Sequence, residues 1–297
     1  MKTIFDQETL GKQNLKNRII RSATWMATAD EGGYVTDQII DTYHELAQGD
    51  AGGIITGMTS VSPVDACVKG ELRFHDDSYI AGHRKLTDTV HASGSRIYMQ
   101  AAMTESVSLN ADGRLREREI DSWTESEIGG IVGLFGDAGA RAEKAGYDGI
   151  QIHAAHFWFL SRFISPVFNH RQDKYGGSAE NRARILLEVL QDIREKTGDS
   201  VSVIVKINCT DAYPEGAAID DFLTSSKLLA EAGIDGIEIS ANGTSAAGIR
   251  PGVNEAYYEE AAALLRKVVD VPIILVGGHR SIENAVSVKN LTETALL

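Results

Sequence analysis

Along the chain, short runs rich in apolar and β-branched residues alternate with longer stretches whose apolar positions recur every three or four residues. The short runs are RIIRS (18–22), GGIITGM (52–58), RIYMQA (96–101), GIQIH (149–153), VSVIVKI (201–207), GIEIS (236–240) and PIILV (272–276), with an eighth beginning at TALL (294–297). They are nearly continuous in apolar residues, which predicts strands buried on both faces of a parallel sheet. Residues 36–47, 77–92, 125–145, 179–196, 220–232, 255–268 and 281–288 carry the helical spacing. Gly146, Gly198 and Gly233 fall where helices end before the next strand. Seven or eight β–α units in series point to an α/β fold of the (β/α)8 TIM-barrel type, incomplete at its eighth unit. Residues 1–297 then form one barrel domain. A doubly wound open sheet is the rival, but no GxGxxG follows the first strand.

Composition narrows this picture in three ways. The 297 residues are 43% hydrophobic and 24% charged, which suits a folded globular chain rather than a disordered one. The balance of 29 Lys+Arg against 42 Asp+Glu gives −13, which disfavours a phosphate backbone as partner, so no nucleic acid is expected. No apolar stretch is long enough to span a membrane. The N-terminus lacks the apolar core of a secretion signal, and Cys67 and Cys209 form no CxxC; together these predict a cytoplasmic protein without a disulfide framework. A small-molecule substrate remains the expected partner, and a homo-oligomer stays open.

In a barrel of this kind the chemistry sits at the C-terminal ends of the strands. Those ends present Ser22, Ala23, Thr24 and Trp25; Gly57, Met58 and Thr59; Gln100; His153 and His156; Lys206 and Asn208; Ser240 and Asn242; Gly277 and Gly278. Two imidazoles three residues apart can donate to one substrate oxygen, ligate a metal, or serve as structural histidines. Lys206, inside an apolar strand, needs a partner or a task. It either stabilises negative charge on a cofactor ring nitrogen or pairs with an acid such as Glu238. Gln100 offers a donor and an acceptor to a flat, amide-like ring edge. Gly277 and Gly278, ahead of a helix starting near Ser281, form either a phosphate turn or a plain left-handed turn. The polar run RQDKYGGSAENR (171–182) reads as a structural loop capped by Ser178.

The run GYDGIQIHAAHFWFLSRFISPVFNHRQDKYGGSAENRARILLEV, together with LKNRII, GGIIT, RIYMQ and VKIN, resembles the old yellow enzyme family of NADH:flavin oxidoreductases, in its 2-enoate reductase-like branch, over nearly the whole chain. The resemblance implies a barrel holding FMN, reduced by NADH or NADPH and passing hydride from flavin N5 to an activated alkene or related acceptor. It places His153 and His156 on the substrate's electron-withdrawing oxygen and Gln100 on the flavin pyrimidine edge. It puts Lys206 near flavin N1; Ala23, Thr24, Trp25 and Met58 beside the ring; and Gly277 and Gly278 at the phosphate. Three departures accompany it. The family's proton-donor Tyr is replaced by Trp158, so no catalytic acid is assigned. Trp25 stands in place of a Thr or Cys. The sequence ends at TALL, before the family's Gly-Arg phosphate clamp, which leads one to expect weak FMN binding. The alternatives are a flavin enzyme acting on quinone, nitro or amine substrates, and a non-catalytic barrel that has lost tight FMN binding.

Overall fold

The computed structural model describes residues 3–65, 69–104, 106–109, 115–241, 248–286 and 293–295. Eight parallel strands follow one another around a single sheet: β1 (Ile20–Arg21), β2 (Gly53–Ile55), β3 (Arg96–Ala102), β4 (Gly149–Ala154), β5 (Ser202–Asn208), β6 (Gly236–Ser240), β7 (Ile273–Leu275) and β8 (Glu293–Ala295). Every pairing between them is parallel. The principal helices between strands are α1 (Asp37–Gln48), α2 (Ile80–His91), α3 (Glu125–Lys144), α4 (Ala179–Thr197), α5 (Ile219–Glu231) and α6 (Glu259–Leu265), with a short helix Phe159–Ile164 after β4 and residues 282–286 helical after β7.

The sheet is curled into a barrel, and one hydrogen bond demonstrates it. Ser22 at the end of β1 and Glu238 on β6 stand five strand positions apart, which on a flat sheet would separate them by roughly 24 Å. Their side chains are joined by a bond of 2.6 Å. Among the described residues no ladder joins β8 to β1. The N-terminal hairpin of Glu8–Leu10 and Gln13–Leu15 closes the mouth at the strands' N-terminal ends: the carbonyl of Leu10 accepts from Ser202 Oγ, and Leu10 is fully buried. Gly236 makes room for this plug, because a Cβ there would lie 2.8 Å from Leu10 Cδ1.

Local sequence accounts for the element ends. Thr36 and Ser178 cap α1 and α4 through their hydroxyls. Thr124 and Glu127 form a reciprocal capping box on α3. Gly146, Gly198 and Gly233 all take positive φ just past helices, as the sequence indicated.

Other expectations need correction. The helix predicted over 255–268 is only Glu259–Leu265. Glu255 instead turns its carboxylate to the backbone N–H groups of Gly252, Arg280 and Ser281, tying two loops together. After β2 and β3, short added pairings extend the fold. Thr59–Ser60 pairs with the end of β3 and with Leu72–Arg73, and Ser106–Leu109 forms a hairpin with Leu115–Glu117. Buried Asp65 fixes the first of these by accepting from Ser60 Oγ and from the backbone N–H of Thr104. Asn242 and Cys67 lie outside the described residues.

Outside the barrel mouth, His83 on α2 is fully buried, stacked 4.2 Å from Phe74 and bonded through Nδ1 to the Tyr147 hydroxyl at 2.7 Å. Burial lowers its pKa to about 4. The unfolded chain binds that proton near 6.5, so between about pH 6.5 and 4 the unfolded state holds more protons and stability falls with acidification. We expect His83 to contribute a slope of about 1.4 kcal/mol per pH unit in that window. The ring's titration by NMR should show a midpoint near 4; a midpoint at 6.5 would remove this contribution.

Candidate functional site

Side chains of β3 to β6 that alternate into the barrel fall into levels set by the strand register. Tyr98, Gly149 and Ser202 occupy the deep positions, followed by Gln100, Gln151, Ile204 and Gly236. Lys206 stands beside both His153 and Glu238 in the strand register, and Asn208 stands beside Ser240. The alternation of two residues per side means each strand delivers its polar groups to one face only.

The buried polar groups form one connected chain. Lys206 Nζ lies 2.8 Å from Glu238 Oε1 and donates to Ser22 Oγ at 3.2 Å. Ser22 Oγ donates to the same carboxylate. Gln151 Nε2 donates to Glu238 Oε2 at 2.6 Å, and Gln100 Nε2 donates to Gln151 Oε1 at 2.7 Å. Lys206 and Glu238 are 6% and 0% exposed, so this is an ion pair inside the barrel rather than a solvated one. The pairing of Lys206 with an acid, one of the two readings of its sequence position, is therefore realised.

The two histidines stand above this network. Their rings are 5.2 Å apart and nearly perpendicular, at 87°. His153 Nδ1 accepts from the backbone N–H of Ala155, which leaves Nε2 as the protonated donor. His156 and Phe157 both adopt positive φ, 62° and 60°, a backbone that non-glycine residues rarely take. Two bonds hold the strained turn: Asn208 Oδ1 accepts from His156 N–H, and His156 Nε2 lies 2.8 Å from Ser240 Oγ. Burial, then His156 and Lys206, pushes the His153 pKa well below its ordinary value. Burial and Lys206 lower that of His156 to about 4, against an opposing pull from Glu238. Both rings are thus neutral hydrogen-bonding groups near pH 7. No cluster of three or more His, Cys, Asp or Glu side chains suited to a metal occurs among the described residues.

The remaining sequence candidates occupy the same mouth or its rim. Thr24, Trp25, Gly57 and Met58 line a small cavity between the ends of β1 and β2; Met58 is buried, and Trp25 is 47% exposed. Ala23 is half-buried just before them. Gly57 permits close approach, since a Cβ there would lie 2.7 Å from the Thr24 carbonyl oxygen. Gly277 and Gly278 take φ of 130° and 72° at the end of β7. Just beyond them Glu255 accepts from the N–H groups of Arg280 and Ser281, ahead of the helical residues 282–286. Trp158 is half-buried and precedes the short helix Phe159–Ile164. The sequence reading did not single out Gln151 or the bridging role of Glu238. The signal was present as the polar residue at the central position of GIQIH and of GIEIS.

This donor set suits a flat, polar-edged ring system. An amide and a cation share one wall of the mouth, two neutral imidazoles stand above, and buried Asn208 Nδ2 has no hydrogen-bond partner. A family model described as the NADH:flavin oxidoreductase / NADH oxidase family matches residues 3–295. The chain is 31% identical over 302 residues to an NADH oxidase from Thermoanaerobacter brockii, covering 95% of this chain and 46% of that protein. It is 31% identical over 285 residues to an NADPH dehydrogenase from Geobacillus sp. strain WCH70, covering 92% of this chain and 82% of the relative. Among solved structures, a 2-naphthoyl-CoA reductase in complex with 2-naphthoyl-CoA superposes with a TM-score of 0.86 at 23% identity, over 99% of this chain and 50% of that one. An old yellow enzyme homologue from Zymomonas mobilis gives 0.82 at 22% identity, over 100% and 88%. These two likenesses show the barrel fold. The chain thus spans about half the length of the NADH oxidase and of the 2-naphthoyl-CoA reductase.

Proposed function

The chain belongs to the NADH:flavin oxidoreductase / NADH oxidase family, and from that premise we propose that it is an FMN-dependent oxidoreductase, its residues 1–297 forming one FMN-binding barrel domain. Bound at the C-terminal mouth, FMN supplies hydride chemistry, accepting from NADH or NADPH and delivering to an activated alkene or related small molecule. His153 and His156 hydrogen-bond the acceptor's electron-withdrawing oxygen and stabilise the charge that develops there. Gln100 meets the pyrimidine edge of the flavin, and Lys206 offers positive charge beside it. Ala23, Thr24, Trp25 and Met58 flank the ring, and Gly277 and Gly278 leave room for the phosphate. No helix of the described residues is long and apolar enough to cross a membrane; a cytoplasmic location is proposed with the same reading, and self-association is compatible with it.

The observation that carries this reading is the neutral histidine pair directly above a buried cation–amide wall. The experiment is titration of the purified protein with FMN, followed by anaerobic reduction with NADH and with NADPH. Saturable binding with bleaching of the flavin spectrum is expected; a chain that neither binds FMN nor bleaches it would refute the proposal. Trp158 favours a second reading, with quinone, nitro or amine substrates, because its indole cannot supply the proton that an alkene carbon requires. A general acid is typically worth about 10²–10⁴ in rate. Trp158→Tyr should therefore accelerate reduction of a cyclic enone by about 10²-fold while leaving a quinone little changed.

A further inference from the structure

The amide orientations along the barrel wall follow from one residue. A carboxylate only accepts hydrogen bonds, whereas a glutamine side chain donates at one end and accepts at the other. Glu238 therefore obliges Gln151 to turn its NH2 group inward, which leaves Gln151 Oε1 facing Gln100. Gln100 in turn spends an N–H on Gln151, and its own Oε1 is left as the acceptor. The orientation is fixed by the donor–acceptor logic of the whole chain rather than by either amide alone. The other carboxylate oxygen of Glu238 holds Lys206 and receives the Ser22 hydroxyl, so one buried acid disposes both groups of the wall.

We propose that Glu238 is a positioning residue for the flavin: it sets the polarity of the Gln151–Gln100 relay and partly neutralises Lys206, thereby tuning the cofactor's reduction potential downward. The inference rests on the flavin reading above. A buried negative charge beside the cation opposes the negative charge gained on flavin reduction, and inside the barrel that opposition is weakly screened. Full exposure of the Lys206 charge would favour the reduced cofactor.

Glu238→Gln tests both effects, because its amide satisfies Lys206 and Ser22 through Oε1 while presenting N–H to Gln151. The relay must then invert, and Gln100 presents N–H instead of Oε1. The expected results are about tenfold weaker binding of oxidised FMN to apoprotein, read by flavin fluorescence, and on the order of tenfold greater preference for reduced over oxidised flavin. For a two-electron couple that preference is a rise of about 30 mV in midpoint potential. Gln151→Leu interrupts the relay and leaves the ion pair intact, so it should weaken FMN about tenfold while changing the reduced-to-oxidised preference less than threefold. If Glu238→Gln does not fold, Gln151→Leu decides alone. Variants that match the unsubstituted protein within twofold in FMN affinity and in midpoint potential overturn the assignment of Glu238. Failure of the unsubstituted protein to bind FMN overturns the flavin reading and this inference with it.

Discussion

Replacing His153 and His156 together by alanine is expected to abolish the charge-transfer band given by a bound phenol and to lower enone reduction at least about 10³-fold. Removal of one preorganised donor to a developing oxyanion typically costs about 10²–10³ in rate. Here one donor stands near the end of β4 and the other on the turn that follows, with rings 5.2 Å apart. Both are neutral near pH 7 because burial and the charge of Lys206 disfavour their protonation. The loss should thus be independent of pH between about 6 and 8, and FMN binding should survive, since neither ring belongs to the Gln100–Gln151–Glu238–Lys206 chain. Phenol titration of the flavin spectrum and steady-state kinetics measure the two effects separately. An undiminished phenol band in the double variant would show that the histidines do not hold the acceptor.

Lys206→Met should cost about 3–5 kcal/mol of folding stability, because truncating one member of a buried ion pair strands the other. Glu238 is fully buried, and after the substitution its carboxylate would keep only the Ser22 hydroxyl and the Gln151 amide. Adding Glu238→Leu to Lys206→Met should restore most of the stability while leaving FMN binding impaired, since an apolar pair removes the stranded charge without replacing the cation. Urea unfolding of the single and double variants at pH 8 provides the measurement. A single variant as stable as the parent at pH 8 would mean that the ion pair contributes nothing to the fold.

The sequence was most informative where its physical signal is local. Apolar runs of GIQIH, VSVIVKI and GIEIS located β4, β5 and β6 to within a residue or two. Ser178 and the glycines at 146, 198 and 233 marked helix ends through hydroxyl capping and positive φ. It was least informative where an end depends on a distant partner. Helix α6 starts four residues later than its pattern suggested because Glu255 is drawn to N–H groups about 25 residues further along the chain. The short strand Thr59–Ser60 forms because the end of β3 lies beside it, which no property of two residues could reveal.

The same division runs through the site. The amino-acid pattern by itself determined the order of β–α units, hence the barrel and the mouth at which its polar residues gather. The resemblance in the run from 146 to 189 marked His153 and His156, while the polar position inside an apolar strand marked Lys206 as a residue needing a partner. Only the tertiary structure decided what each of them bonds. Curling of the sheet brings Ser22 against Glu238 across 216 positions of sequence, and the register sets Lys206 between His153 and Glu238. Hydrogen-bond direction and Coulomb interaction act over a few ångströms of space, whereas periodicity records only which face a side chain takes. For that reason the surplus of acidic residues in the composition said nothing of the one buried acid on which the polar wall turns.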